Sequence, residues 1–125
     1  MPGCKDPDAH LDLRYQLSKF REHQADFRDL ADKIAAGSVV PDGDGRYAVP
    51  PDLRRVGLMS IQYLPKLKVV LFEFGSHPID AERAFGRCYD AGRADPIEAI
   101  RDEWHPRKIH QSEHMEDGWF LIVYD

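Results

Sequence analysis

The sequence predicts an α+β protein: a mainly antiparallel sheet of about four strands, with one long N-terminal helix and two shorter helices packed on it. Three observations lead there. Leu13, Leu17, Phe20, Gln24, Phe27, Ala31 and Ile34 follow one another in alternating steps of four and three, with neither Gly nor Pro between Asp8 and Ala36. At about 100° of rotation per residue these positions share one arc, the signature of an amphipathic helix. Leu58 to Leu64 and Lys68 to Phe74 read as strands joined through Pro65-Lys66-Leu67, an antiparallel hairpin. Trp119 to Tyr124 is apolar on both alternating faces, and so is Val69-Val70-Leu71-Phe72. A strand with one wet face alternates apolar and polar residues. These two strands are therefore expected at the centre of a sheet covered on both sides.

The elements follow in order. Met1 to Lys5 is expected to be a flexible tail, after which Asp6 caps the long helix and Pro7 takes its first position. That helix would span roughly 40 Å at about 1.5 Å per residue, with Gly37 as its stop and Asp29 and Lys33 as an i,i+4 pair. Residues 38–51 are rich in Gly, Pro and Asp and read as a connection, with Val39-Val40 and Tyr47-Ala48-Val49 as short extended pieces around a turn. Asp52 to Val56 predicts one helical turn. After the hairpin, Gly75-Ser76-His77-Pro78 breaks the sheet. A helix is expected over about Ile79 to Ala91, with Ala81, Ala84, Phe85 and Cys88 on its apolar side and Gly86 weakening it by about 1 kcal/mol. Asp95-Pro96 and Glu98 open a further short helix with Ile97, Ile100 and Trp104 on one face. Lys108 to about Met115 is a weaker strand, and Trp119 to Tyr124 closes the chain's structure. The 125 residues suit a single domain, 1–125.

Composition narrows the function classes. A hydrophobic content of 42%, a charged content of 31% and a formal net charge of −5 describe a folded, acidic domain and argue against nucleic acid, whose binding needs a basic face. Arg54-Arg55 and Arg107-Lys108 read as solvated surface. Cys4 and Cys88 do not make a disulfide framework, and Cys88 is expected to be buried and unreactive. No signal-peptide pattern opens the chain and no apolar run is long enough for a membrane span, so the expected location is cytoplasmic, without a membrane partner.

Motifs for chemistry are few. Gly43-Asp44-Gly45-Arg46-Tyr47-Ala48 matches a dinucleotide fingerprint in letters only, since Pro41 precedes it and Val49-Pro50-Pro51 forbids the helix the site requires. The same turn fails as a calcium loop, with Tyr47 at position six and Leu53 at position twelve. His105, His110 and His114 have ligand-like spacing. In an extended strand, however, His110 and His114 stand about 13 Å apart at about 3.3 Å per residue, too far for one zinc ion. No metal and no cofactor is expected. Gly75, Ser76 and His77 form the best candidate ligand site: a strand end leading into a predicted helix start, where free N–H groups attract anions, with Glu73 or Asp80 as a neighbouring carboxylate.

The reading that follows is a small non-catalytic protein-interaction module that regulates or inhibits a macromolecular partner. The alternative is a small-ligand-binding, anion-binding or hydrolytic protein using the Gly75-Ser76-His77 turn. The interaction surface is expected at Leu11 and Tyr15, which lie off the seam, at the acidic positions Asp26, Asp29 and Asp32, and at Trp104. Asp102 and Glu103 add to the acidic set, which suits a basic protein partner through complementary fields. The apolar surface beyond one sheet face also predicts self-association as a homodimer or other homo-oligomer, through the open face or the heptad seam.

Overall fold

The computed structural model describes residues 13–43, 45–75, 82–89, 96–103 and 108–124. Their elements are α1 (Leu13–Glu22), α2 (Gln24–Ala35), α3 (Pro51–Arg55), β1 (Leu58–Leu64), β2 (Val69–Phe74), β3 (Glu82–Cys88), α4 (Pro96–Glu103), β4 (Ile109–His114) and β5 (Trp119–Tyr124). The strands make one sheet in the order β1-β2-β3-β5-β4, antiparallel at every pairing. The architecture is α+β, with five strands rather than about four. Met1 to Lys5, Asp6, Pro7, Leu11, Ser76, His77, Asp95, Trp104 and His105 lie outside the described residues.

The heptad seam does what its pattern implies, against the sheet. Phe20, Phe27, Ala31 and Ile34 are buried in one cluster with Val70, Phe72, Phe74, Phe85, Trp119 and Leu121. Phe20 stacks on Phe85 at 4.3 Å and meets the edge of Trp119 at 4.9 Å. Phe27 meets Phe72 edge-on at 5.1 Å. The expected single helix is, however, two. His23 leaves the helical range at φ −105°, ψ 18°, while His23 N–H still donates to Lys19 O and Phe27 N–H to His23 O across the break. A straight rod of that length outruns a twisted sheet; the break keeps both halves on it. Gly37, at φ 77°, ends α2 as expected. Ser38 N–H donates to Lys33 O and Gly37 N–H to Ile34 O, the paired bonds of a Schellman stop.

The second correction is larger. The segment expected as a helix over Ile79 to Ala91 contains β3, the middle strand. Its small residues are small for a sheet reason. Gly86 pairs with Phe120 across β5, and a Cβ at Gly86 would lie 2.4 Å from Phe120 Cζ and 2.9 Å from Leu71 Cδ2. The glycine makes room for a ring lying over the strand. Phe85 points to the opposite face, onto Phe20. Cys88 is half-buried at the strand's end, with Sγ 3.9 Å from Leu67 O, and does not sit on a helical apolar side.

The double-sided loading of β2 and β5 is real. Phe120, Ile122 and Tyr124 share a second buried cluster with Val69, Leu71 and Ala84, and Ile97 and Ile100 of α4 cover it. Thus α1 and α2 lie on one face of the sheet and α4 on the other. The chain itself occupies both surfaces from which self-association was expected. β3 and β4 run parallel, since each is antiparallel to β5 between them, and α4 lies on the crossover that joins them.

The two edges differ. β4 is polar and exposed except for half-buried Ile109, and its register slips between Ile109 and Gln111. Both features blunt an edge. β1 is flanked by the connection: the predicted extended pieces reduce to one bridge, Arg46 with Gln62. Among the described residues no helix is long and apolar enough to cross a membrane.

Candidate functional site

Of the Gly75-Ser76-His77 turn, Gly75 is described and firmly rooted. Its N–H donates to Gly57 O at 3.1 Å, and its carbonyl accepts from Gln16 Nε2 at 2.6 Å. Gln16 is fully buried, an anchor that sequence reasoning missed. Its signal was present: it lies three residues after Leu13 and four before Phe20, on the buried arc.

Glu73, one of the two carboxylates expected to serve that turn, is committed elsewhere; the other, Asp80, lies outside the described residues. Its Oε1 accepts from Arg46 Nη1 at 2.9 Å and from Ser60 Oγ at 3.2 Å, and its Oε2 accepts from the Tyr124 hydroxyl at 2.9 Å. Arg46 Nη1 also donates to Ser60 Oγ at 3.0 Å. The side chain is 16% exposed. A carboxylate with both oxygens bonded, in a partly buried network, is a clamp. This one ties the 39–49 connection to β1, β2 and β5. Arg46, Ser60 and Tyr124 went unnoticed as partners because they lie far apart in sequence and meet only through the sheet register.

Asp32 belongs to a second clamp. Its Oδ1 accepts from Arg87 Nη1 at 2.9 Å and from the Tyr89 hydroxyl at 2.6 Å, which fastens α2 to β3 and the residue just after it. The Arg87 guanidinium lies 5.1 Å from the Tyr89 ring centre and 5.8 Å from that of Trp119. Burial, followed by the bond to Asp32, pushes the Tyr89 phenol above the ordinary tyrosine range. The raised value means the protonated phenol is favoured in the fold. Its contribution is therefore complete below about pH 10 and is lost as pH rises toward the folded value. Tyr89→Phe is expected to cost about 1 kcal/mol at neutral pH. In urea unfolding compared at pH 8 and above pH 10, the gap between wild type and variant should narrow at the higher pH. A gap independent of pH would contradict the assignment.

The other expected surface residues sort by geometry. Tyr15 is half-buried with Lys19 Nζ 5.6 Å from its ring centre. Asp26 is exposed and its Oδ2 lies 3.3 Å from His23 Nδ1. Asp29 is exposed and makes no ion pair with Lys33, although both border the same cleft. That cleft, about 300 Å³ between α2 and α3, brings Asp26 and Asp29 together with Asp52, over apolar Leu30, Pro50 and Leu53. Asp52 also approaches Arg55 at 3.9 Å, an exposed pair. Asp102 and Glu103 are exposed on α4, on the other side of the sheet, so they do not extend this acidic group. His110 and His114 stand on β4, and among the described residues no three His, Cys, Asp or Glu side chains gather as metal ligands.

A scan against protein-family models found none that matches this chain, and searches of the curated proteins and of the solved structures found no match either. The geometry is therefore the only guide to function.

Proposed function

We propose that this protein is a non-catalytic interaction module that regulates or inhibits a protein partner, and that it docks a basic segment in the cleft between α2 and α3. One observation carries the reading: Asp26 and Asp29 from α2 converge with Asp52 from α3 around a floor of Leu30, Pro50 and Leu53. A lysine or arginine has the matching build, an aliphatic stem with a charged head. Three carboxylates against Lys33 leave the cleft negative, so fields are complementary and association is steered. The two networks support the same view, because Glu73 and Asp32 are bonded within the fold itself.

The test is a calorimetric titration with a peptide alternating leucine and lysine. Binding should be saturable and should weaken as salt is raised. Asp29→Lys and Asp52→Lys should each weaken it roughly tenfold. Both positions are exposed, so the melting temperature should move by no more than about 3 °C. Binding that ignores both charge reversals, or none below about 1 mM, would contradict the reading.

A further inference from the structure

Two large apolar side chains are strongly exposed among the described residues, Val40 at 84% and Met59 at 65%. Both line one cleft of about 550 Å³, which shares no lining residue with the acidic cleft and is bounded by the 40–49 connection and the first half of β1. Scattered single exposures are ordinary; two gathered at one site mark a surface.

Backbone and charge say what fits it. β1 is an edge strand. The connection covers its outer side where Arg46 bridges Gln62 and Tyr47 N–H donates to Ile61 O at 3.2 Å. It then parts from the strand. At Met59 and Ser60 no described residue outside the sheet makes a backbone hydrogen bond, and the register with β2 slips at the same place. Arg54 borders the cleft and, among the described residues, has no ion-pair partner. Arg46 holds its guanidinium at the rim through Glu73 and Ser60. Asp42, the carboxylate on this rim among the described residues, accepts at its Oδ1 from the Arg46 backbone N–H at 3.0 Å. Among the described residues lining the cleft, the charge without an ion-pair partner is that of Arg54, on a chain whose formal net charge is −5.

We infer that this cleft is a second docking surface, for an extended segment of a partner protein in which acidic and apolar side chains alternate. The segment lies along the β1 edge at Met59, where among the described residues the connection makes no backbone bond, and side-chain pockets give its choice. An apolar side chain rests on Met59 and Val40, and a carboxylate meets the planar Arg54 guanidinium. This surface does not depend on the acidic cleft, and either can fail alone.

The probe is a fluorescein-labelled peptide alternating leucine and glutamate, followed by anisotropy, with the leucine–lysine peptide as its twin. The glutamate peptide should bind saturably. Arg54→Glu and Met59→Ser should each weaken it roughly tenfold, while Asp29→Lys leaves it unchanged. Since Met59 and Arg54 are exposed, native-like melting curves should show that both variants fold. Three results would overturn the inference: no saturable binding below about 1 mM, binding unaffected by Arg54→Glu, or loss of lysine-peptide binding in Met59→Ser. Light scattering supplies a fourth. A mass above the monomer that Met59→Ser reduces would assign the cleft to a second copy of the chain instead.

Discussion

Replacing Phe27 by alanine is expected to lower the unfolding free energy by about 3–5 kcal/mol, the range for emptying a buried aromatic site. Phe27 is fully buried, and its ring contacts Phe20 at 5.1 Å, Phe72 at 5.1 Å and Phe74 at 6.0 Å. It therefore joins α1, α2 and the sheet in one aromatic cluster. Much of the loss is the cavity left among rings that cannot close on it. Urea unfolding of the purified variant measures it. A change below about 1 kcal/mol would mean that the seam faces water rather than the sheet.

Gly86→Ala is expected to destabilise by about 1–3 kcal/mol, the usual range for overpacking a core. The added methyl meets Phe120 Cζ at 2.4 Å, Phe120 Cε2 at 2.7 Å and Leu71 Cδ2 at 2.9 Å. The sign is what matters. In the interior of a helix, the reading that the sequence suggests for this segment, the same change would stabilise by about 1 kcal/mol. Trimming Phe120 to leucine in the Gly86→Ala background should recover part of the loss, because the two residues are direct cross-strand neighbours. A stabilised single variant would contradict the close approach of ring and backbone.

These two positions show which parts of the fold are readable before a structure is seen. Phe27 is legible as a core residue because its neighbours repeat at helical spacing and a buried stripe has one period. β5 is legible as an interior strand, which it is between β3 and β4, because six consecutive apolar residues do not suit a half-wet strand. Gly86 reads as helical from the sequence because Ala84, Phe85 and Cys88 also suit helical spacing, and β3 is too short for its period to outvote them. What makes that segment a strand is non-local: β2 on one side, β5 on the other and the Phe120 ring above. His23 is a similar case, since nothing in the heptad steps marks the break found there.

The candidate surfaces divide the same way. Asp26 and Asp29 are one helical turn apart, and their common face was visible in the sequence. Asp52 joins them only because α3 packs beside α2. Asp32, three residues beyond Asp29, was grouped with them, yet it points to Arg87 and Tyr89, more than fifty positions away. Local spacing assigns a residue to a face. Only tertiary structure decides whether its charge is spent within the fold or offered to a partner. The same reasoning separates the two arginines of the second cleft, Arg46 bound to Glu73 and Arg54 without an ion pair among the described residues.

The most direct test of the docking account is an amide-shift map of the isotopically labelled protein titrated with the leucine–lysine peptide. The account predicts saturable shifts centred on Asp26, Asp29, Leu30 and Leu53, with the amides of Gly75 and Glu73 unmoved. Shifts centred instead on Gly75 and its neighbours, with the α2–α3 cleft silent, would contradict it and return the function to the turn that follows β2.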